Sequence, residues 1–219
     1  MLVSDRGFEG TTGQIGSVLS AATTVQTLNR SAINNDVLME MEIVNAINQG
    51  PLIVNYLGHG SVTVWTGSGL LNKDNAAALT NSGRLSVFVM TTCLNSYFHD
   101  AFVDSLAEIL FKNPQGGAVA TWSSSGKTEP AGQTDMNLRL YQLILSNPSM
   151  ALGDAVRNAK MSSPDIDVRH TWILLGDPSM MLLSVTPTAQ TKTSLTNTSK
   201  VGALSRRQDK SIRRLQNAP

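Results

Sequence analysis

Short apolar runs alternate with stretches of helical periodicity along most of the chain. "MLVSD" opens as a strand already under way. In "DVLMEMEIVNAINQG", Val37, Leu38, Met41, Val44 and Ile47 recur at helical spacing, and Gly50 is placed to cap the end. "PLIVNYLG" reads as a buried strand, "NKDNAAALTNSG" as a short helix stopped by Gly83, and "RLSVFVMTT" as a second buried strand with Cys93 just beyond it. "HDAFVDSLAEILFKN" predicts a strongly amphipathic helix and "GGAVATW" a third internal strand. "TDMNLRLYQLILSN" and "PSMALGDAVRNAK" predict two further helices, with Pro148 as the first residue of the second. "TWILLGDPSMMLLSV" gives a strand, a Gly-Asp-Pro turn and a final strand. Strands and helices in this order predict an α/β fold, a mostly parallel sheet flanked by helices on both faces.

The pattern fades after Pro187, where Thr, Ser, Asn and Lys replace large apolar residues. The expectation is therefore one domain over 1–186 and a tail over 187–219 too polar to form a core. Composition agrees: 41% hydrophobic and 15% charged residues in a chain of 219 suit a soluble globular domain. The net charge of +1 hides an asymmetry, since residues 186–219 hold seven Lys/Arg against Asp209 alone. Basic residues gathered in a tail rather than on the folded body argue against nucleic acid as a partner. No run reaches the length of a membrane span, and no secretory signal is visible in this sequence.

Two residues at predicted strand ends carry the chemistry. His59, in "NYLGHGS", follows one buried strand, and Cys93 follows the next, 34 positions on. Loops leaving the carboxyl ends of a parallel sheet collect in one crevice, and strands joined by a single crossover are usually neighbours about 5 Å apart. Imidazole and thiol thus fall within reach of each other. Cys93 is the single cysteine and can form no internal disulfide. Thiol peptidase chemistry needs a thiolate, a histidine that sets it up and protonates the leaving amine, and amide donors for the oxyanion. Gly58 and Gly60 let a backbone and a substrate approach closely, and the amides of Gly60 and Cys93 are the oxyanion candidates. The helix predicted after Cys93 would place its positive end near the thiol.

"IVNYLGHGS", "VMTTCLNSYF" followed by "SLAE", "GGAVATWSSSG" and "LLGDPSMML" resemble, in this order, the landmarks of the gingipain family of cysteine peptidases, over roughly residues 1–185. The resemblance implies a caspase-like three-layer sandwich and a cysteine endopeptidase with Cys93 as nucleophile and His59 as acid and base. It implies an acidic residue after the first strand that orients the histidine, here Asp5, although this chain has "SDRG" where the family commonly has a consecutive acidic pair. It implies a substrate pocket walled by the segment after the third strand: Trp122, Ser123, Ser124 and Ser125. Peptide or protein is the implied substrate, no cofactor is implied, and additional domains of a larger secreted or cell-surface parent are. A catalytically silent caspase-like scaffold or protein-secretion component would carry the same landmarks.

Other features change the picture less. No close His/Cys cluster exists to hold zinc. "TWSSSGKT" imitates a phosphate loop, but Thr121 stands where its first glycine belongs. His99 reads as a surface or capping residue, His170 as a loop or strand-edge residue, and Trp65 and Trp172 as packing. Glu129 and Asp135 lie near the pocket segment, either to favour a basic substrate side chain or, as acidic loop residues usually are, simply solvated.

Overall fold

The computed structural model describes residues 1–182. In chain order it contains β1 (Leu2–Ser4), α1 (Glu9–Ser20), β2 (Thr27–Asn29), α2 (Arg30–Ile33), α3 (Asp36–Asn48), β3 (Ile53–Leu57), β4 (Gly60–Ser61), β5 (Val64–Trp65), β6 (Leu71–Asn72), α4 (Lys73–Ala77), β7 (Ser86–Thr91), α5 (Leu106–Lys112), β8 (Ala118–Ser124), α6 (Pro130–Ser146), α7 (Leu152–Ser162), α8 (Ile166–Thr171) and β9 (Trp172–Leu175). Six strands form one sheet in the order β2-β1-β3-β7-β8-β9, and β4, β5 and β6 form a small antiparallel one. Neighbours in the large sheet run parallel except β9, which is antiparallel to β8.

Side-chain alternation sets the layers. In β3, Val54 and Tyr56 join one apolar cluster while Ile53 and Leu57 pack on the other side; in β7, Phe88 and Met90 separate in the same way from Val87 and Val89. Helices α3, α4 and α5 cover the first face, and α1, α6 and α7 the second. A strand buried on both faces reads as a continuous apolar run, as β3 and β7 do. The expected three-layer α/β arrangement is present.

Boundaries differ from the sequence reading where polar side chains capture backbone amides. The helix expected from His99 begins at Leu106: Ser105 and Glu108 form a reciprocal capping box, while Asp100 accepts from the Phe102 and Val103 amides and holds that segment as a turn. Phe98, Phe102 and Val103 therefore stand in solvent instead of on a helix face. Pro148 lies in a turn closed by Met150 N–H to Asn147 O (2.9 Å), and α7 starts at Leu152. Helix α4 ends at Ala77, ahead of Gly83. His170 sits in the last turn of α8, Met181 bridges Ala151, and the rest of the expected final strand, from residue 183, lies outside the described residues. The tail over 187–219 lies outside the described residues.

Among the described residues the sheet ends at β9. Ser125 N–H donates to Thr171 O (2.8 Å), which makes Ser124 and Trp172 a non-hydrogen-bonded pair and turns the Trp172 carbonyl away from β8. Lys160 Nζ donates to that carbonyl at 2.6 Å.

Candidate active site

Four parallel strands bring their carboxyl ends to one rim. Ser4 pairs with Leu57, Leu57 with Thr91, and Met90 with Ser123, so Asp5, His59, Cys93 and the segment from Ser125 emerge side by side. Both His59 and Cys93 lie two residues past the Leu57–Thr91 pair. The ladder continues one step beyond it through Gly58 N–H to Thr91 O (3.2 Å).

His59 is exposed, between β3 and the hairpin of β4 and β5. Its carbonyl accepts from Thr66 N–H (2.9 Å) and from the Tyr56 hydroxyl (2.7 Å), and its ring packs edge-on against Phe8 with centroids 5.4 Å apart. Burial pushes the Tyr56 phenol well above its ordinary pKa, with the nearby Asp5 charge adding to the effect, so the hydroxyl stays a donor. The Tyr56 ring stacks on Trp65 of β5 at 4.2 Å, which anchors the hairpin to the core. The bond from Thr66 to His59 makes Gly60 and Trp65 a non-hydrogen-bonded pair, so the Gly60 amide is turned away from β5.

Cys93 is half-buried at the start of a tight turn whose next residue, Leu94, has φ of 63°. A non-glycine residue there costs on the order of 1–3 kcal/mol and persists because its surroundings hold it. Leu94 N–H donates to Gly126 O (3.1 Å), Ser96 N–H to Ser124 O (3.0 Å), and Ala107 N–H to Asn95 O (2.9 Å). The Cys93 thiol donates to Thr128 O (3.5 Å), and the buried Gln133 holds Thr128 through its carbonyl (2.9 Å) and hydroxyl (2.8 Å). Among the described residues the Cys93 amide makes no backbone hydrogen bond. The α5 N-terminus, expected near the thiol, gives its amides elsewhere: Leu106 N–H to Val62 O (2.7 Å) and Ala107 N–H to Asn95.

Asp5 is 3% exposed. One carboxylate oxygen accepts from Arg30 (2.8 Å) and from the Arg6 amide (2.8 Å), and the other accepts from the backbone amide of His59 at 3.4 Å. Arg30 continues bidentately to Asp36 at 2.8 and 2.7 Å. The structure thus brings Asp5 to the main chain of His59; among the described residues, neither ring nitrogen of His59 makes a hydrogen bond to Asp5 or Cys93.

Trp122, Ser123 and Ser124, expected to wall a substrate pocket, have buried side chains. Trp122 packs against Trp172 with centroids 5.8 Å apart, Ser123 bonds Ser96, and Ser124 bonds Thr171 (3.0 Å). Ser125 is half-buried on Thr171 O (2.9 Å), so residues 125–129 are the accessible part of this segment beside Cys93. Glu129 and Asp135 are exposed at the start of α6, and His99 is exposed against Tyr97, centroids 3.9 Å apart. A half-open cavity of about 680 Å³, lined by Trp172, Lys160, Arg169 and His170 among others, belongs to the β9 edge and contains neither His59 nor Cys93. No group of metal-ligating residues occurs among the described residues.

Arg30, Leu94, Asn95, Thr128 and Gln133 also shape the site. Asn95 is fully buried, and its Nδ2 donates to Ser61 O (2.6 Å) and Val64 O (3.3 Å). Nothing in a single sequence marks these residues; only the register that places the hairpin over the Cys93 turn does.

The profile of peptidase family C25 matches residues 5–183. Gingipain R2 of Porphyromonas gingivalis is 29% identical over 170 residues, 72% of this chain and 23% of that protein. Gingipain R1 of the same organism is 29% identical over 159 residues, 67% of this chain and 16% of the relative. Among solved structures, that of the Arg-specific cysteine proteinase gingipain R superposes with a TM-score of 0.66 at 22% identity, covering 84% of this chain and 47% of that one. The complex of the Porphyromonas gingivalis RgpB pro- and mature domains gives 0.68 at 20% identity, covering 84% and 48%. The chain spans about a quarter or less of the two curated relatives and about half of the solved chains.

Proposed function

The chain belongs to peptidase family C25, and from that premise we propose that it carries the nucleophile and the acid–base of a cysteine endopeptidase. One observation carries the reading: His59 and Cys93 stand at equal distance past a directly paired Leu57 and Thr91, on neighbouring parallel strands.

The Cys93 thiolate attacks the scissile carbonyl carbon and the C=O electron pair moves to oxygen. The Gly60 and Cys93 amides, neither committed to a ladder, donate to that oxyanion. The His59 imidazolium gives its proton to the amide nitrogen as the C–N bond breaks, leaving a thioester. His59 then takes a proton from water, the hydroxide adds to the thioester carbon, and the Cys93 thiolate departs. Asp5 supports this by fixing the His59 main chain, with Arg30 holding the carboxylate in place. Residues 125–129 border the substrate, and the chemistry needs no cofactor.

Secretion or surface display, with further domains completing the enzyme, is part of the same proposal and rests on the family; no helix among the described residues is long and apolar enough to cross a membrane. A mixed-sequence peptide library incubated with the wild-type chain and Cys93→Ala tests the reading. Cleavage confined to wild type, with Cys93 labelled by an electrophilic peptide, is the expected result. Equal cleavage by both, or an unlabelled Cys93, supports a silent scaffold instead.

A further inference from the structure

Catalysis at Cys93 requires that two amides on different segments keep a fixed spacing, and something must hold them. The Gly60 amide belongs to the hairpin of β4 and β5, the Cys93 amide to the turn after β7. Helix α5 reaches the hairpin through one backbone bond, Leu106 N–H to Val62 O, and Gly60 rests on Thr92. Among the described residues, the side chain that hydrogen-bonds from the Cys93 turn to the hairpin is that of Asn95. Its Nδ2 donates to both carbonyls that flank the hairpin tip, Ser61 O at 2.6 Å and Val64 O at 3.3 Å, and would lie 3.3 Å from a Cβ placed on Gly60. The amide orientation follows from its partners: two carbonyl oxygens demand the NH2 group, and a flipped amide would set oxygen against oxygen.

Asn95 is itself immobilised. It has no exposed surface, sits two residues past Cys93 behind the left-handed Leu94, and its own carbonyl takes the Ala107 amide at the start of α5. The short bond to Ser61 O therefore transmits the position of the Cys93 turn to the residue adjoining Gly60.

We propose that Asn95 is a positioning residue for the oxyanion site: it fixes the separation of the Gly60 and Cys93 amides by stapling the hairpin carbonyls to the nucleophile turn. The proposal rests on the peptidase reading above. A misplacement of about 1 Å in such a site can cost roughly 100-fold in rate, and loss of one oxyanion donor costs roughly 100- to 1,000-fold in kcat. A residue acting on the oxyanion site alone leaves the thiol as nucleophilic as before.

The test uses the full chain with Asn95→Ala and the isosteric Asn95→Asp, which keeps the shape but replaces the donor by an acceptor. Three readouts are compared with wild type: turnover of the best library substrate, inhibition by the peptide aldehyde of the same sequence, and alkylation of Cys93 by iodoacetamide across pH. The aldehyde reports the oxyanion site, because thiolate addition to its carbonyl carbon moves the C=O pair onto oxygen, which takes the proton carried by His59. Iodoacetamide reports the thiol alone, since displacement of iodide builds no oxyanion.

Expected for both variants is a kcat lowered roughly 100-fold with KM within about threefold, an aldehyde inhibition constant raised by a similar factor, and an alkylation rate and pH profile within twofold of wild type. A thermal melt of each variant, run beside the alkylation, shows whether the chain remains folded. Either variant turning over at close to the wild-type rate, or losing alkylation in proportion to turnover, overturns the role of Asn95 and leaves the peptidase reading standing. A wild-type chain that alkylates but neither cleaves peptide nor binds aldehyde overturns both.

Discussion

A methyl group on Gly60 would come within 2.5 Å of Thr92 Oγ1 and 3.1 Å of its methyl carbon, so the hairpin that follows His59 can lie over the Cys93 turn only because nothing projects between them. Gly60→Ala is expected to push the hairpin away and lower kcat on the order of 100-fold, with a lower melting temperature as well, because Gly60 pairs with the buried Trp65 that anchors the hairpin to the core. Steady-state kinetics alongside a thermal melt check this; unchanged kcat would show that the contact is not needed. Cys93→Ala and His59→Ala should abolish turnover. Asp5→Asn should be milder, because it weakens hydrogen bonds to a charged acceptor, worth about 1.5–3 kcal/mol at most, and leaves the dyad in place. A loss of about tenfold or more, short of abolition, is expected; full activity of Asp5→Asn at every pH tested would remove Asp5 from the site. His59 and Cys93 were legible as residues because each ends an apolar run. Asn95 and Arg30 were not, since their importance lies in partners 31 or more and 25 positions away, respectively.

Elements were legible where burial on both faces or a long amphipathic period made the signal, as in β3, β7, β8, α3 and α6. Boundaries were lost where a side chain overrode the period. "HDAFVDSLAEIL" has the spacing of a helix from its first residue, yet the Ser105–Glu108 capping box and the Asp100 turn start it at Leu106. The signal was present as S-x-x-E and was outweighed by the apolar pattern. Helix α1 escaped because only Thr12, Ile15 and Leu19 are buried among glycines and hydroxyl residues, and the small antiparallel sheet because its two-residue strands are too short for a period to show. Ser105→Ala removes the cap of α5 and should cost about 1 kcal/mol, lowering the melting temperature by roughly 2–4 °C for a chain of this size. Since Leu106 N–H also holds Val62, amide exchange of Leu106 should quicken in that variant; an unchanged melting temperature would deny the cap its role.

At the scale of the molecule, Arg30 ties the sheet edge to the helical layer by gripping Asp5 after β1 and Asp36 at the start of α3. Hydrogen bonding to Arg30 is the largest cause holding the Asp36 carboxyl below its usual pKa. A carboxyl with a depressed folded-state pKa contributes stability that is complete above its unfolded value, about pH 4, and is lost as pH falls through the folded value. Asp36→Asn should therefore melt lower than wild type at pH 7, and the two curves should converge as the pH is lowered below about 4; a gap that persists undiminished at the acid end would assign the effect to shape rather than charge. The opposite edge of the sheet carries a different hazard. Among the described residues no strand pairs with the outer side of β9, where the Trp172 carbonyl points, and an unguarded edge recruits copies of itself. Lys160 occupies that carbonyl, and burial lowers its pKa, so the ammonium is held there against its solvation preference. Lys160 is expected to guard this edge against self-association: Lys160→Met, which keeps the length and removes the charge and donor, should sediment as larger species than wild type at the same protein concentration, while peptide turnover per Cys93 at high dilution stays the same; identical sedimentation of the two would deny Lys160 that role.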